Sequence, residues 1–266
     1  PELRSEISAA QRRFRDMGKF RQSIELGEAA RRVALKDSIV ENAAETHAAW
    51  ADSIERQPTS DLGIRERITS AESREHFRTA ATAFEELSQL RFATREYPQY
   101  LWASGECFVR GHNFELAIPA LKKYVSAAHS RDHPRALVAL GRSHLALGAS
   151  DEALKVLDDC IASHPDHPEA YEARVLASQA HSESGDRTKA IELLNDNLDN
   201  EALTPDSVQW QKSLFELGKL FYREALSREA KSREDGIDRP EIERQKLGLK
   251  DLEEASHLFL QAIDYL

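Results

Sequence analysis

Imidazoles and a carboxylate gather at one place in this sequence: His164-Pro165-Asp166-His167, with His129 and His133 in the preceding stretch between helices. Metal chemistry requires several N, S or O ligands that converge with fixed orientation. These groups sit around proline-broken turns, which orient ligands poorly, so they read as hydrophilic turns and no metal site is assigned. His144 and His181 fall on apolar helix stripes and read as packing histidines. The adjacent carboxylates Asp158-Asp159 and Glu85-Glu86 point about 100° apart on a helix, so they form solvated charge rather than an acid/base couple. Cys107 and Cys160 lie inside helical patterns as small buried hydrophobes, not as a disulfide framework. The sequence contains no glycine-rich phosphate loop, no serine elbow and no Cys-x-x-Cys pair. No catalytic residue and no cofactor are assigned, and the chain reads as non-enzymatic.

The elements that carry these residues are more informative. In residues 137–165, Leu137, Leu140, Gly141 and His144 recur at i, i+3, i+4 and i+7, one face of a helix. Gly148 breaks that helix. Ser150 is expected to cap a second one with Asp151 and Glu152 in its first turn. Ala153, Leu157 and Cys160 mark its inner face, and Pro165 stops it. The block recurs upstream: Leu101, Ser104, Gly105 and Phe108 form a first stripe, and Ala117, Leu121 and Tyr124 a second. The alanines Ala80, Ala117, Ala153 and Ala190 are spaced by 37, 36 and 37 residues. Self-similarity at a fixed period is the signature of a helical solenoid.

This pattern resembles the tetratricopeptide-repeat (TPR) family, most strongly over residues 71–200. The family places small residues where the two helices of a hairpin cross, matched by Gly105, Gly141, Ala117, Ala153 and Ala190. Its inter-helix turn is matched by Gly148 and Gly185 and more loosely by Gly111-His112-Asn113; its closing proline is matched by Pro165 and displaced in Pro134 and Pro205. The words around residues 101–121 also look like the bacterial cell-envelope type of the family, whose members act as scaffolds. The resemblance implies an all-α, right-handed superhelix of about six hairpins filling residues 1–266. The best-matched repeats span 98–131, 134–165, 168–198 and 206–266, with degenerate hairpins at 3–35 and 38–93. Within the second hairpin, residues 38–56 read as the first helix, and Ser70 is expected to cap a long helix reaching about Ala93. In the last, the polar stretch 227–248 reads as an insertion that lengthens both helices, with Pro240 opening the second.

Composition fits this picture. Charged residues make up 31% and hydrophobic residues 41%, as amphipathic helices with one solvated face require. The net charge of −10 argues against a nucleic-acid binder, which needs a basic surface to displace counterions. Residues 1–36 carry nine Lys/Arg and five Asp/Glu, so this end is +4 and the remainder −14; that reads as a solvated face or as a basic landing patch for an acidic partner or a neighbouring chain. Apolar stretches fall far short of the roughly 18 residues of a membrane span, so no direct membrane insertion is expected. The chain begins at Pro1 and ends at Leu266, where the pattern would place a proline and another repeat. It is therefore expected to be a segment of a longer polypeptide, compatible with either a cytoplasmic or a periplasmic setting.

In this family the first helix of each hairpin lines the concave side, where partners bind. Side chains flanking the packing stripes are then the candidates: Trp102, Glu106 and Val109, then Val138 and Arg142, then Gln179, and finally Phe215, Lys219 and Tyr222. Trp102 reads either as an anchor for a partner or as the filler of a gap between hairpins. One branch of the family holds a C-terminal carboxylate with Lys, Asn and Arg on these faces. Trp102 and Val138 stand where such residues would be expected, which turns the resemblance away from that branch. The leading expectation is a scaffold that binds a protein or peptide through apolar anchors with a polar rim. The alternative is a structural or oligomerisation segment of a larger protein whose other domain carries the activity. It rests on the outer stripe Leu252, Phe259 and Ile263, which no following repeat covers.

Overall fold

The computed structural model of the protein describes residues 2–31, 37–56, 64–129 and 132–234, together with Glu253, Ser256, His257 and Leu260. Every extended regular element among the described residues is an α-helix. The chain divides into two compact units, Pro1–Leu147 and Gly148–Leu266. The first contains α1 (Glu2–Asp16), α2 (Phe20–Arg31), α3 (Asp37–Glu55), α4 (Ile64–Leu90), α5 (Tyr97–Arg110), α6 (Phe114–Ala127) and α7 (His133–Ala146). The second contains α8 (Ser150–Ser163), α9 (Pro168–Ser184), α10 (Arg187–Leu198) and α11 (Val208–Glu234). The expected stripe Leu252, Phe259 and Ile263, and Pro240, lie outside the described residues.

Within each unit consecutive helices pack on one another. Alternate helices also touch: α1 meets α3, α5 meets α7, and α9 meets α11. In these three pairs the first helices of successive hairpins run side by side. The reason lies in the small residues. A Cβ built on Gly105 would stand 2.6 Å from Cδ2 of Leu121, so a larger residue there would have to displace the Leu121 side chain that packs α6 on α5. Gly185 has another role. Its φ is +87° and nothing lies within 4 Å of its would-be Cβ, so it serves the left-handed C-cap of α9 and not packing. In the α5–α6 turn His112 takes φ +53° without glycine, which is why this turn matches the pattern more loosely.

The core of the first unit rests on fully buried Phe77, Leu87, Phe108 and Leu121. In the second, Val175, Ala190, Leu194, Leu217 and Leu220 form one cluster, with Ile191, Leu198 and Phe221 packed against it. The first hairpin differs. Its packing positions are Ser8, Gln11 and Ser23, facing Asn42 and Thr46 of α3, all buried. A ladder links them: Gln11 Nε2 donates to Ser23 O, Ser23 Oγ to Gln11 O, and Asn42 Nδ2 to Ser8 O, while the buried Gln11 Oε1 accepts no hydrogen bond among the described residues. Ions tie the next hairpins together. Arg110 on α5 reaches Asp52 and Glu55 on α3 at 2.6 and 2.7 Å, with its guanidinium 3.9 Å from the ring centre of Phe77.

Three boundaries differ from the sequence reading. Helix α4 starts at Ile64, so Ser70 is a helix-interior residue and not a cap; the preceding Ile64-Arg-Glu-Arg-Ile run favours helix and carries it upstream. Ser150 is the first residue of α8 and makes no cap bond. The N-cap is Ala149, and the Ser150 hydroxyl donates to Glu183 at 3.4 Å. Pro134 lies in the first turn of α7, opening that helix instead of closing α6, because its fixed φ suits the position.

Candidate interaction surfaces

In the first unit, α5 begins with Pro98 in its first turn and buries Leu101, Ser104, Gly105 and Phe108. Trp102 follows Leu101 and is therefore turned about 100° from the packing stripe. It is half-buried and leans on the neighbouring helices. Its ring lies 5.6 Å from that of Tyr124 on α6, tilted by 51°. Arg135 of α7 covers it, with the guanidinium carbon 4.2 Å from the ring centre. Arg135 Nη2 also donates to the Tyr124 hydroxyl at 2.9 Å. Trp102 thus stands where the start of α5, the end of α6 and the start of α7 meet. Glu106 and Arg142 are exposed. Val109 and Val138 retain only 9% and 4% of their surface and lie in the packing between helices. An apolar residue beside a stripe is drawn into the interface, and the sequence pattern gave these two no polar reason to stay out.

In the second unit the structure brings Gln179 of α9 and Lys219 of α11 to one cavity of about 180 Å³, with Glu183, Glu216 and Arg223 on its walls. Two carboxylates and two cations make it polar and balanced. Lys219 Nζ donates to both oxygens of Glu216 at 2.8 Å and sits 5.7 Å from the ring centre of Phe215. Phe215, Lys219 and Tyr222 follow at i, i+4 and i+7, one face of α11. Phe215 and Tyr222 remain 42% and 43% exposed. Large aromatic area left in water is a feature of binding surfaces more than of packed cores.

The sequence reading missed a second cavity, of about 370 Å³, between α2, α3 and α4. Ile24, Ile39, Val40 and Ala43 line it, and the Arg31–Glu86 ion pair joins α2 to α4 at 2.5 Å. His47 sits at this cavity and shares a hydrogen bond of 2.9 Å with His76, Nδ1 to Nδ1. Such a bond needs one ring nitrogen protonated and the other bare. Burial, helped by His76, pushes the His47 imidazole down to about 4. Burial also lowers His76, against the raising effect of Glu72 and Glu75. His76 stacks on Trp50 at 4.1 Å, and Trp50 on Phe20 at 5.9 Å. His47 and Trp50 lie on α3 and His76 on α4, and no sequence spacing links them.

Groups singled out for chemistry have local duties. His133 Nε2 bonds to the Ala128 carbonyl, and His167 Nδ1 accepts from the Glu169 amide at the start of α9. Among the described residues no three His, Cys, Asp or Glu side chains converge to hold a metal ion. Burial pushes the thiols of Cys107 and Cys160 up to about 12, so both stay neutral. No described helix is long and apolar enough to cross a membrane.

Stacked antiparallel hairpins with small residues at their crossings define an all-helical repeat protein. The repeat has a family. Residues 65–133 and residues 108–174 each match a model of the tetratricopeptide repeat, so the stretch from 65 to 174 is built of repeats of that family. No curated protein matches it in sequence. Similar solved structures include the MamA RS-1 ArsTM double mutant, 14% identical with a TM-score of 0.51, covering 73% of this chain and 92% of that one. MamA AMB-1 is 13% identical with a TM-score of 0.51, covering 79% and 97%. The Rap conjugation gene regulator of plasmid pLS20, solved in complex with the Phr* peptide, is 12% identical with a TM-score of 0.50, covering 97% of this chain and 73% of that one. At these identities the likeness establishes the tetratricopeptide solenoid fold.

Proposed function

We propose that this chain is a non-enzymatic scaffold that holds a peptide or a partner helix on the faces of its first helices. The observation that carries this reading is the exposed Phe215, Lys219 and Tyr222 stripe of α11 beside the polar cavity shared with Gln179 of α9. Aromatic side chains supply large contact area at small entropic cost, and the flanking Gln179, Lys219 and Glu216 orient a backbone or a polar side chain. Glu106 and Arg142 are the corresponding exposed groups of the first unit. A structure of the same fold solved with a bound peptide supports this type of ligand. The neutral thiols and the local duties of the histidines accord with a role in binding and not in catalysis.

The test is quantitative affinity capture with the parent chain and a Phe215→Ala/Tyr222→Ala variant. The expected outcome is a loss of about ten-fold or more in recovery of the bound partner, as for paired aromatic hot spots, with the helical signal unchanged. Equal recovery removes this face from the reading.

A further inference from the structure

Arg135 is exposed, yet its guanidinium is held in one place. The Trp102 ring covers one face at 4.2 Å, the Tyr124 ring lies 5.6 Å away, and Nη2 donates to the Tyr124 hydroxyl at 2.9 Å. That hydroxyl in turn donates to the Asp132 carbonyl at 3.5 Å, and Tyr124 itself is buried. The aromatic pair thus fixes the plane of a cation whose five N–H groups are spent on a single hydrogen bond among the described residues. Arg135 forms no ion pair there, whereas Arg91 and Arg110 are each engaged by two carboxylates. A pre-oriented guanidinium matches a carboxylate in two parallel hydrogen bonds, and the rotamer entropy that usually weakens a surface ion pair has already been lost on folding.

Charge points the same way. Residues 122–135 hold four Lys/Arg, two His and one acid, Asp132, a net of +3 within a chain of −10. Lys122 and Lys123 on α6 are exposed. A short basic island in an acidic molecule repels an extended polyanion at long range but accepts a few carboxylates at contact.

We propose that the Trp102–Tyr124–Arg135 cluster docks an acidic peptide segment of a protein partner, the Arg135 guanidinium taking a carboxylate and the open edge of Trp102 an adjacent apolar side chain. This second contact point rests on the scaffold reading but uses none of the α11 residues. It gives Trp102 a role at the junction of three helices.

The experiment uses the full chain and a fluorescein-labelled twelve-residue peptide of repeated Glu-Glu-Leu, read by anisotropy. The same peptide with Gln for Glu and a twelve-residue oligothymidylate serve as competitors. Arg135→Gln removes the guanidinium together with its stacking on Trp102, with an unchanged helical signal as the control for folding, and Arg135→Lys keeps charge but not the planar fork. The expected result is binding that weakens with added salt, falls about ten-fold in Arg135→Gln and is only partly restored in Arg135→Lys. The Gln peptide competes about ten-fold less well than the Glu peptide. No binding by the parent, equal binding by Arg135→Gln, equal competition by the Gln peptide, or stronger competition by the oligothymidylate overturns the inference. Loss in Phe215→Ala with no loss in Arg135→Gln also overturns it and moves the peptide to α11, leaving the scaffold reading in place.

Discussion

Trp102 on α5 and Phe215 on α11 occupy comparable places, large aromatics beside the packing stripe of a first helix, yet they end in different surroundings. Trp102 sits in the first half of a 14-residue helix, where the end of α6 and the start of α7 converge, and Tyr124 and Arg135 cover it. Phe215 sits on a 27-residue helix and keeps 42% of its surface, as Tyr222 keeps 43% two turns on. The aromatic side chain alone does not determine whether it packs or stays available. The neighbouring helix ends determine it, and these lie far away in sequence.

The largest predicted effect tests the packing on which Trp102 depends. Replacing Gly105 by Leu forces a branched side chain into space already filled by Leu121 and should destabilise the first unit by about 1–3 kcal/mol or more, measured by thermal unfolding. The comparison is sharpened by truncating each aromatic. Trp102→Ala removes contacts with Tyr124 and Arg135 and should cost about 1–2 kcal/mol of stability. Phe215→Ala should stay within about 0.5 kcal/mol in the same melts while weakening partner capture. Equal stability losses in the two variants would erase the distinction.

Trp50 supplies a pH-dependent version of the same comparison. Trp50 stacks on His76, which is bonded to His47. Folding holds His47 down to about 4 from its usual 6.5, so the unfolded chain binds the proton more readily. Stability is therefore fully present above pH 6.5 and is lost as pH falls from there toward 4. His47→Asn should flatten this dependence of the melting temperature. A parent chain with the same melting temperature at pH 6.5 and pH 4.5 would contradict it. The smallest effect is expected at Glu216→Gln. It loosens a partly exposed pair with Lys219 and should cost less than about 1 kcal/mol, seen as a slight shift in the urea midpoint.

Much of the fold was legible because close helix crossings demand small residues. Gly105, Ala117, Ala153 and Ala190 mark buried crossings, and Gly148 and Gly185 take the positive φ that ends a helix. The first hairpin was harder to read, since Gln11 and Ser23 fill its core through mutual hydrogen bonds that no hydrophobic pattern reveals. The surfaces were legible only in part. Side chains flanking a stripe were identified by angle, but angle does not separate Val109 and Val138, drawn into the interface, from Phe215 and Tyr222, left outside. Nor could spacing find Arg135 over Trp102 or His76 beside His47. Those contacts form between helices, and only the packed structure selects them.

The most direct test places a photo-activatable benzoylphenylalanine at Tyr222 and, separately, at Leu116, a 46% exposed residue of the second helix α6. The scaffold account predicts a discrete protein adduct from position 222 on irradiation in cells and none from position 116. An adduct from position 116 with none from 222 would show that partners meet another face of the molecule and contradict the account.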